Sequence, residues 1–231
     1  VTRRDGRPRH QQIAADLRAL IMSGDLRGKL PTTRELMDRY SVGSPTVQRA
    51  VQVLKDEQFA EGRRGSGVYA VERVPIDSIA YVPAERGYAY KLLGVSPVAP
   101  PVEVRDAFGL EPDNAVILRH RLMTLRDVPV ELSWSYYPAQ LAAGTPLAEP
   151  KRIKGGASEL LARLGHRPVR YEERIATRLP TTAELELLEL PDDVPVLRQF
   201  RVLFTAAEEP VEATVMVKGG HRYEKRVSGQ L

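Results

Sequence analysis

Apolar positions recur at three- and four-residue spacing twice in the first third of the chain. Ile13, Ala14, Leu17, Leu20 and Ile21 mark one helix face, and Gly24 stands where that helix should end. Thr32 and Glu35 form a T-x-x-E capping box, which predicts a second helix from about Thr33. Ser44 offers an N-cap hydroxyl, Pro45 suits a first helical position, and Val47, Ala50, Val51 and Leu54 form the second stripe, on a third helix. Residues 40–43 leave room only for a tight turn, so the second and third elements read as a helix-turn-helix. Arg63-Arg64-Gly65-Ser66-Gly67 then fits the tip of a β-hairpin, with residues 68–71 as the returning strand.

From residue 72 to 101 the period is lost and Pro75, Pro83, Pro97, Pro100 and Pro101 accumulate. This stretch reads as a linker and the entry to a second domain, with Tyr81, Tyr88 and Tyr90 available to order against a pocket. Residues 115–125 and 129–137 follow as strand patterns around Arg126-Asp127-Val128, a hairpin signal that lacks the usual glycine. A short helix is expected over 158–164 with Ser158 as its cap, and a strand over 169–177. Thr181 and Glu184 make a second capping box, and residues 196–205 and 210–218 a closing hairpin. Val130, Leu132, Trp134 and Tyr136 form an apolar strand face that reads as core. The expected fold class is α+β: a helical N-terminal domain at 1–74, a linker and entry at 75–101, and an antiparallel-sheet domain at 102–231.

Charge changes the picture of the first domain. Residues 1–74 hold 14 Lys and Arg against 9 Asp and Glu, leaving 20 of the 34 basic and 21 of the 30 acidic residues to the rest. The whole positive excess of the +4 chain therefore sits on the helical third, as neutralising phosphates would require. The polar face of the third helix carries Thr46, Gln48, Arg49 and Gln52, groups suited to base edges and phosphates. Gln to adenine and Arg to guanine are common contacts, which makes Gln48 and Arg49 candidate readers; a merely solvated face is the plain alternative for either alone. Arg3, Arg4, Arg7 and Arg9 could form a basic arm along a duplex or a frayed, solvated terminus. With no cysteine there is no disulfide framework and no thiolate metal or redox chemistry. No apolar run reaches the length of a membrane span and no signal-peptide pattern opens the chain, so a cytoplasmic protein without a membrane partner is expected.

In the second domain Arg119 and Arg121 fall on one face of their strand, with His120 on the other. Two such guanidiniums repel unless an anion or a carboxylate lies between them, and the guanidinium fork suits phosphate. Pairing with nearby glutamates on a solvated face is the other reading. Glu212 and Lys218 share parity on the last strand. The four histidines are scattered without ligand spacing, and no nucleophile elbow or phosphate-cradling glycine loop is present. No catalytic residue, metal site or cofactor is expected.

The N-terminal stretch resembles the winged helix of the GntR family of bacterial transcription regulators. Gly24, Leu30-Pro31-Thr32, Arg34, Leu36, Val42, Thr46-Val47, Ala50 and Arg63/Arg64-Gly65-Ser66-Gly67 carry the resemblance. It implies that a duplex is met by Thr33, Arg34, Ser44, Pro45, Thr46, Gln48 and Arg49, and by the wing residues Arg64, Gly65 and Gly67. Two departures stand out: Gly43 where the family usually has Ser or Thr, a loss of the cap that Ser44 could make good, and Ser44 where it often has Arg, which removes a guanine contact. The run from Gly24 to Leu30 is about two residues shorter than the family norm, either a deletion or residues absent from the chain.

The second half resembles the UTRA effector domain of the HutC subfamily, whose fold is similar to chorismate lyase. Arg119-x-Arg121, Asp127-x-Pro129-Val130-x-Leu132, Pro138, Ala157-Ser158-x-Leu160 and Pro210-Val211-Glu212 carry this one. It implies a pocket lined by Arg119, Arg121, the Ser158 region, Glu212 and Lys218, with a helix start at Ser158 offering backbone N–H groups to a phosphate. Lys218 replaces a frequent Tyr of the family and favours an anionic ligand over a sugar-ring contact. The reading is a ligand-responsive homodimeric regulator, by default a repressor, on a short palindromic operator in double-stranded DNA, with a sugar phosphate or other anionic metabolite as effector. The alternatives are a lyase-like enzyme with a DNA-binding appendage, or a constitutive DNA-binding regulator of a mobile element whose second domain only dimerises.

Overall fold

The computed structural model describes residues 5–72, 74–76, 88–192, 194–221 and 223–225, with the backbone alone at 74–76 and 224. Two compact units result. The first takes the described residues up to 76 together with 191–192, 194, 220–221 and 223–225, and the second takes 88–190 and 195–219.

In the first unit, helices α1 (Arg9–Ser23), α2 (Thr33–Tyr40) and α3 (Ser44–Asp56) precede strands β1 (Ala60–Arg63) and β2 (Gly67–Ala70). Ile13, Leu17 and Ile21 of α1, Leu36 of α2, and Val47, Ala50 and Leu54 of α3 close on one another as a single core. Each Leu or Ile so buried is worth about 1.5–3 kcal/mol relative to exposure, and helices of this length need that tertiary support. Gly24 ends α1 at φ 84, the left-handed conformation that glycine adopts without steric cost. The Thr32 capping box is complete: Thr32 Oγ1 accepts from the Glu35 amide, and the Thr32 amide donates to Glu35 Oε2 at 2.7 Å. The cap expected at Ser44 differs. Gly43 takes the extended N-cap conformation without a side-chain bond, so α3 starts one residue early and Pro45 falls second in its first turn, where its missing N–H is equally unneeded. Strands β1 and β2 pair antiparallel from Ala60↔Ala70 to Arg63↔Gly67, and a bridge from Lys29 to Tyr69 adds the segment before α2 to the hairpin's other side. Strands β3 (Val74–Ile76) and β10 (Tyr223–Lys225), far apart in the chain, pair in parallel here, and His221 packs edge-on to Phe59.

The second unit is a six-stranded sheet in the order β4-β5-β6-β9-β8-β7, antiparallel throughout. Its strands are β4 (Tyr88–Val98), β5 (Val116–Leu125), β6 (Val128–Pro138), β7 (Arg170–Arg178), β8 (Val196–Phe204) and β9 (Pro210–Gly219). Strand β4 lies inside the segment read as linker and entry. Its Pro97 sits on an edge strand, where a missing N–H need not break a ladder, so the proline signal hid the strand. The β5–β6 hairpin turns at Arg126 and Asp127, both with positive φ, and so takes the two-residue geometry that glycine more often supplies. Period two gives the sheet two unlike faces. Val116, Leu132, Tyr136, Phe200, Val202, Ala213, Val215 and Val217 build one core with helices α4 (Val102–Phe108) and α7 (Thr182–Leu188). Ile117, Tyr137, Leu203 and Val211 build the other with α5 (Ala139–Ala142) and α6 (Ala157–Arg163). The Thr181 capping box opens α7 as expected. Ser158 does not cap α6: Gly156, at φ 86, is the N-cap, and Ser158 is the second helical residue.

Candidate functional site

Two surfaces carry the residues singled out above, one in each unit. On the first, Thr33, Arg34, Pro45, Gln48, Arg49, Arg64, Gly65 and Gly67 are exposed, and Ser44 and Thr46 are half-buried. The apolar stripe of α3 turns inward and leaves the polar one outside. Gln48 Nε2 donates to Ser44 Oγ at 3.3 Å, while Arg34, Arg49 and Arg64 have no ion-pair partner among the described residues. The wing separates its two arginines. Arg63 is held by Glu61 at 2.9 Å and lies 4.2 Å over the Tyr69 ring, leaving Arg64 at the tip. Of the expected basic arm, Arg3 and Arg4 lie outside the described residues. Arg7 pairs with Asp5, and Arg9 donates to the Tyr40 carbonyl at the end of α2. A groove of about 470 Å³ runs between α2, α3 and the wing base, flanked by Lys29 and Lys55, which the sequence reading did not single out.

In the second unit, the polar middle of one sheet face opens into a cavity of about 100 Å³. Adjacent strands supply Arg119, Ser135, Thr214 and Arg201 in one register row, and Arg121, Ser133 and Met216 in the next. The cavity is lined by Arg119, Arg121 and Met123 of β5, Glu131 and Ser133 of β6, Arg201 of β8, and Glu212, Thr214 and Met216 of β9. Tyr88 and Tyr90 of β4 and residues 152–158 wall it. Gly155 and Gly156, at φ 80 and 86, turn that wall's backbone tightly toward α6.

The two arginines of β5 are engaged differently. Arg119 is 2% exposed, and its guanidinium donates to the carbonyls of Leu147 and Glu149 at 2.8 Å and of Lys151 at 2.6 Å. Burial pulls its pKa below the ordinary arginine value, yet a guanidinium in this setting keeps its charge. Arg121 donates from Nη2 to Ser135 Oγ at 2.6 Å, and its buried Nε has no partner among the described residues. Ser135 passes the contact to Glu212 and Thr214, and Tyr137 donates to Glu212 Oε2 at 3.1 Å. Burial first, and then the Glu212 carboxylate, push the Tyr137 phenol far up, so it stays a donor.

Sequence reasoning thus placed Arg119, Arg121, Ser158 and Glu212 on one cavity, and the structure brings these four together. Lys218 lies beyond the lining. It is buried, its Nζ 2.7 Å from Glu131 Oε2 and 2.5 Å from Gln199 Oε1. Arg152, Arg201, Glu131 and Thr214 were missed. Arg201 could have been found, because Gln199 and Arg201 share parity in the strand VLRQFRVLF, opposite to that of Phe200 and Val202. Tyr88 and Tyr90 do line the cavity, while Tyr81 lies outside the described residues. Among the described residues no cluster of His, Asp or Glu is placed to hold a metal ion, and no helix is long and apolar enough to cross a membrane.

Comparison with known proteins gives this architecture its family. The model of the UTRA domain matches residues 84–224, and that of the bacterial regulatory proteins of the gntR family matches residues 9–70. An uncharacterized HTH-type transcriptional regulator of Streptomyces coelicolor is 26% identical, over 94% of this chain and 90% of its own length. A GntR-family transcriptional regulator of known crystal structure superposes with TM-score 0.63 at 22% identity, covering 97% of this chain and 98% of its own. PhnF from Mycobacterium smegmatis does so with TM-score 0.59 at 20% identity, over 94% and 100%. The structural likenesses establish the fold, and the family models, one of them spanning more than half of the sequence, establish the kinship. The chain belongs to the GntR family of bacterial transcription regulators, in the group whose winged helix is followed by a ligand-responsive UTRA domain.

Proposed function

We propose that the chain is a homodimeric repressor of the cytoplasm that holds a short palindromic operator and releases it when a small anionic effector, such as a sugar phosphate, enters the UTRA cavity. One observation carries the choice of an anion. Four arginines (Arg119, Arg121, Arg152 and Arg201) line the cavity against two glutamates, and one of those, Glu131, is already neutralised by Lys218. The open Nε of Arg121 supplies a donor for an incoming oxyanion. On the winged helix, Gln48 and Arg49 read base edges in the major groove, Thr33, Ser44, Pro45 and Thr46 meet the backbone beside them, and Arg34 holds a phosphate. Arg64, between Gly65 and Gly67, reaches the neighbouring minor groove. Arg119 shapes the pocket wall, Arg121 and Glu212 orient the ligand, and the backbone at Ser158 approaches it. Lys218 sets the field from behind Glu131. The chain works as a binding protein and not as an enzyme: of the two glutamates lining the cavity, Glu131 is paired with Lys218, and Glu212 accepts from the hydroxyls of Tyr137 and Thr214.

A thermal-shift panel of hexose phosphates, dicarboxylates and neutral sugars tests this reading. Ligands that bind only the folded state raise the melting point by mass action. The anions should raise it and free a fluorescent operator duplex. Stabilisation by neutral sugars alone, or by nothing in the panel, contradicts an anion site.

A further inference from the structure

The four arginines of the UTRA cavity are not equally committed. Arg119 is taken by the carbonyls of residues 147, 149 and 151, and Arg121 keeps a buried Nε without a partner among the described residues. Arg152 is mounted differently from both. The Lys151 carbonyl just before it accepts from Arg119 at 2.6 Å, and Ile153 just after it is buried in the core beside α6. Its backbone is therefore fixed on both sides, while its side chain is exposed at the cavity wall. No carboxylate among the described residues pairs with it, and Glu149, the nearest acidic residue in the chain, is taken by Lys151. Its guanidinium lies instead 5.1 Å from the centre of the Tyr90 ring. An aromatic face holds an exposed guanidinium more loosely than a carboxylate does in a bidentate pair, so the mount is rigid and the tip releasable.

What that tip can reach follows from the register. Tyr90 stands opposite Met123 on β5, and Arg121 is the next residue of β5 on the same face. Tyr90 and Arg121 are thus diagonal neighbours, roughly 7–8 Å apart. One guanidinium rises from the cavity floor, the other stands at the rim, and Met123 holds the register position between them. A ligand with an oxyanion at each end and a short run of methylenes between matches that order, because the thioether side chain offers the spacer an apolar surface. Size points the same way. About 100 Å³ is well below the roughly 300–1,000 Å³ of ordinary ligand pockets, which favours a short open chain over a phosphorylated hexose. With Lys218 behind Glu131, the site counts five cations against two carboxylates, enough for a ligand with two charges.

We propose that the effector is a short-chain dicarboxylate whose inner acid group binds at Arg121 and whose outer one draws Arg152 off the Tyr90 ring. Arg152 is then the residue that distinguishes two acid groups from one. The proposal rests on the anion reading of the cavity given above and narrows it to a ligand class.

Calorimetric titration of the full-length protein tests it with succinate, glutarate and adipate, each beside the monoacid of the same carbon count: butyrate, pentanoate or hexanoate. In the wild type at least one diacid should bind roughly tenfold or more tighter than its monoacid. Arg152→Ala should bring that diacid down to the level of its monoacid while keeping the wild-type melting point. Arg152→Lys, which keeps the charge, should retain part of the difference. A diacid no tighter than its monoacid, or glucose 6-phosphate bound where no diacid is, overturns the two-headed ligand and leaves the anion site standing. A diacid advantage that survives Arg152→Ala overturns the role of Arg152. Binding of none of these acids, glucose 6-phosphate included, overturns the anion reading itself.

Discussion

Arg119 and Arg121 stand two residues apart on one strand and line one cavity, yet Arg119 spends its guanidinium on the carbonyls of residues 147–151 while Arg121 meets only Ser135 among the described residues. Equivalent positions in the sequence pattern are therefore unequal in chemistry. Arg119→Ala should remove the clasp on the 147–151 segment and leave several buried carbonyls without a donor, costing on the order of 2–4 kcal/mol. Arg121→Ala should leave stability nearly unchanged and abolish effector-induced operator release. Urea denaturation of both variants, beside a duplex-release assay, separates the two roles; equal stability losses would show that they do not differ.

Lys218 and Glu131 form a buried pair 2.7 Å apart. Removing one partner strands the other charge out of water, which costs about 3–5 kcal/mol for a fully buried pair. Lys218→Met should approach that loss. Adding Glu131→Leu should recover most of it, because the pair's absence is cheaper than half of it. A double variant as unstable as the single one would mean that the pair itself is strongly stabilising.

Much of this was legible in the sequence where signals were local. Capping boxes at Thr32 and Thr181, the stripe of α3 and the period-two pairing of Arg119 with Arg121 each depend on residues close together in the chain, and the structure has them all. What was missed is non-local. Strand β4 was hidden by Pro97, whose tolerance depends on its being an edge strand. Arg201 reaches the cavity only through the register of β8 on β9, and Lys218 is turned to Glu131 by the order of the strands. The Ser44 and Ser158 caps failed because a glycine upstream, Gly43 one residue before the first and Gly156 two before the second, took the N-cap position.

His120 lies on the apolar sheet face, its ring stacked 4.7 Å from Trp134, and burial holds its pKa below the ordinary 6.5. The unfolded chain therefore takes up this proton first as the pH falls. This contribution to stability is flat above about pH 6.5 and declines below it, until the folded ring protonates as well. His120→Phe keeps the stacking and should flatten that part of the decline between pH 7.5 and 5.5. An unchanged slope in urea titrations at the two pH values would show that His120 does not contribute it.

Phosphate contacts and base contacts on the winged helix are separable. Arg34→Ala and Arg64→Ala should each weaken binding to every duplex and reduce the slope of log affinity against log salt by about 1. Gln48→Ala should change which base is preferred at one position, a discrimination worth about 1–3 kcal/mol. Selection from a random duplex pool reads the second effect, and a salt titration reads the first.

The most direct measurement of the whole account is fluorescence anisotropy of a labelled duplex pool with the full-length protein at low ionic strength, repeated as salt and then anionic metabolites are added. Saturable binding that weakens steeply with salt, and further when one anion is added, is the predicted result. An unchanged anisotropy at every protein concentration, or duplex binding that no anion alters, would contradict it.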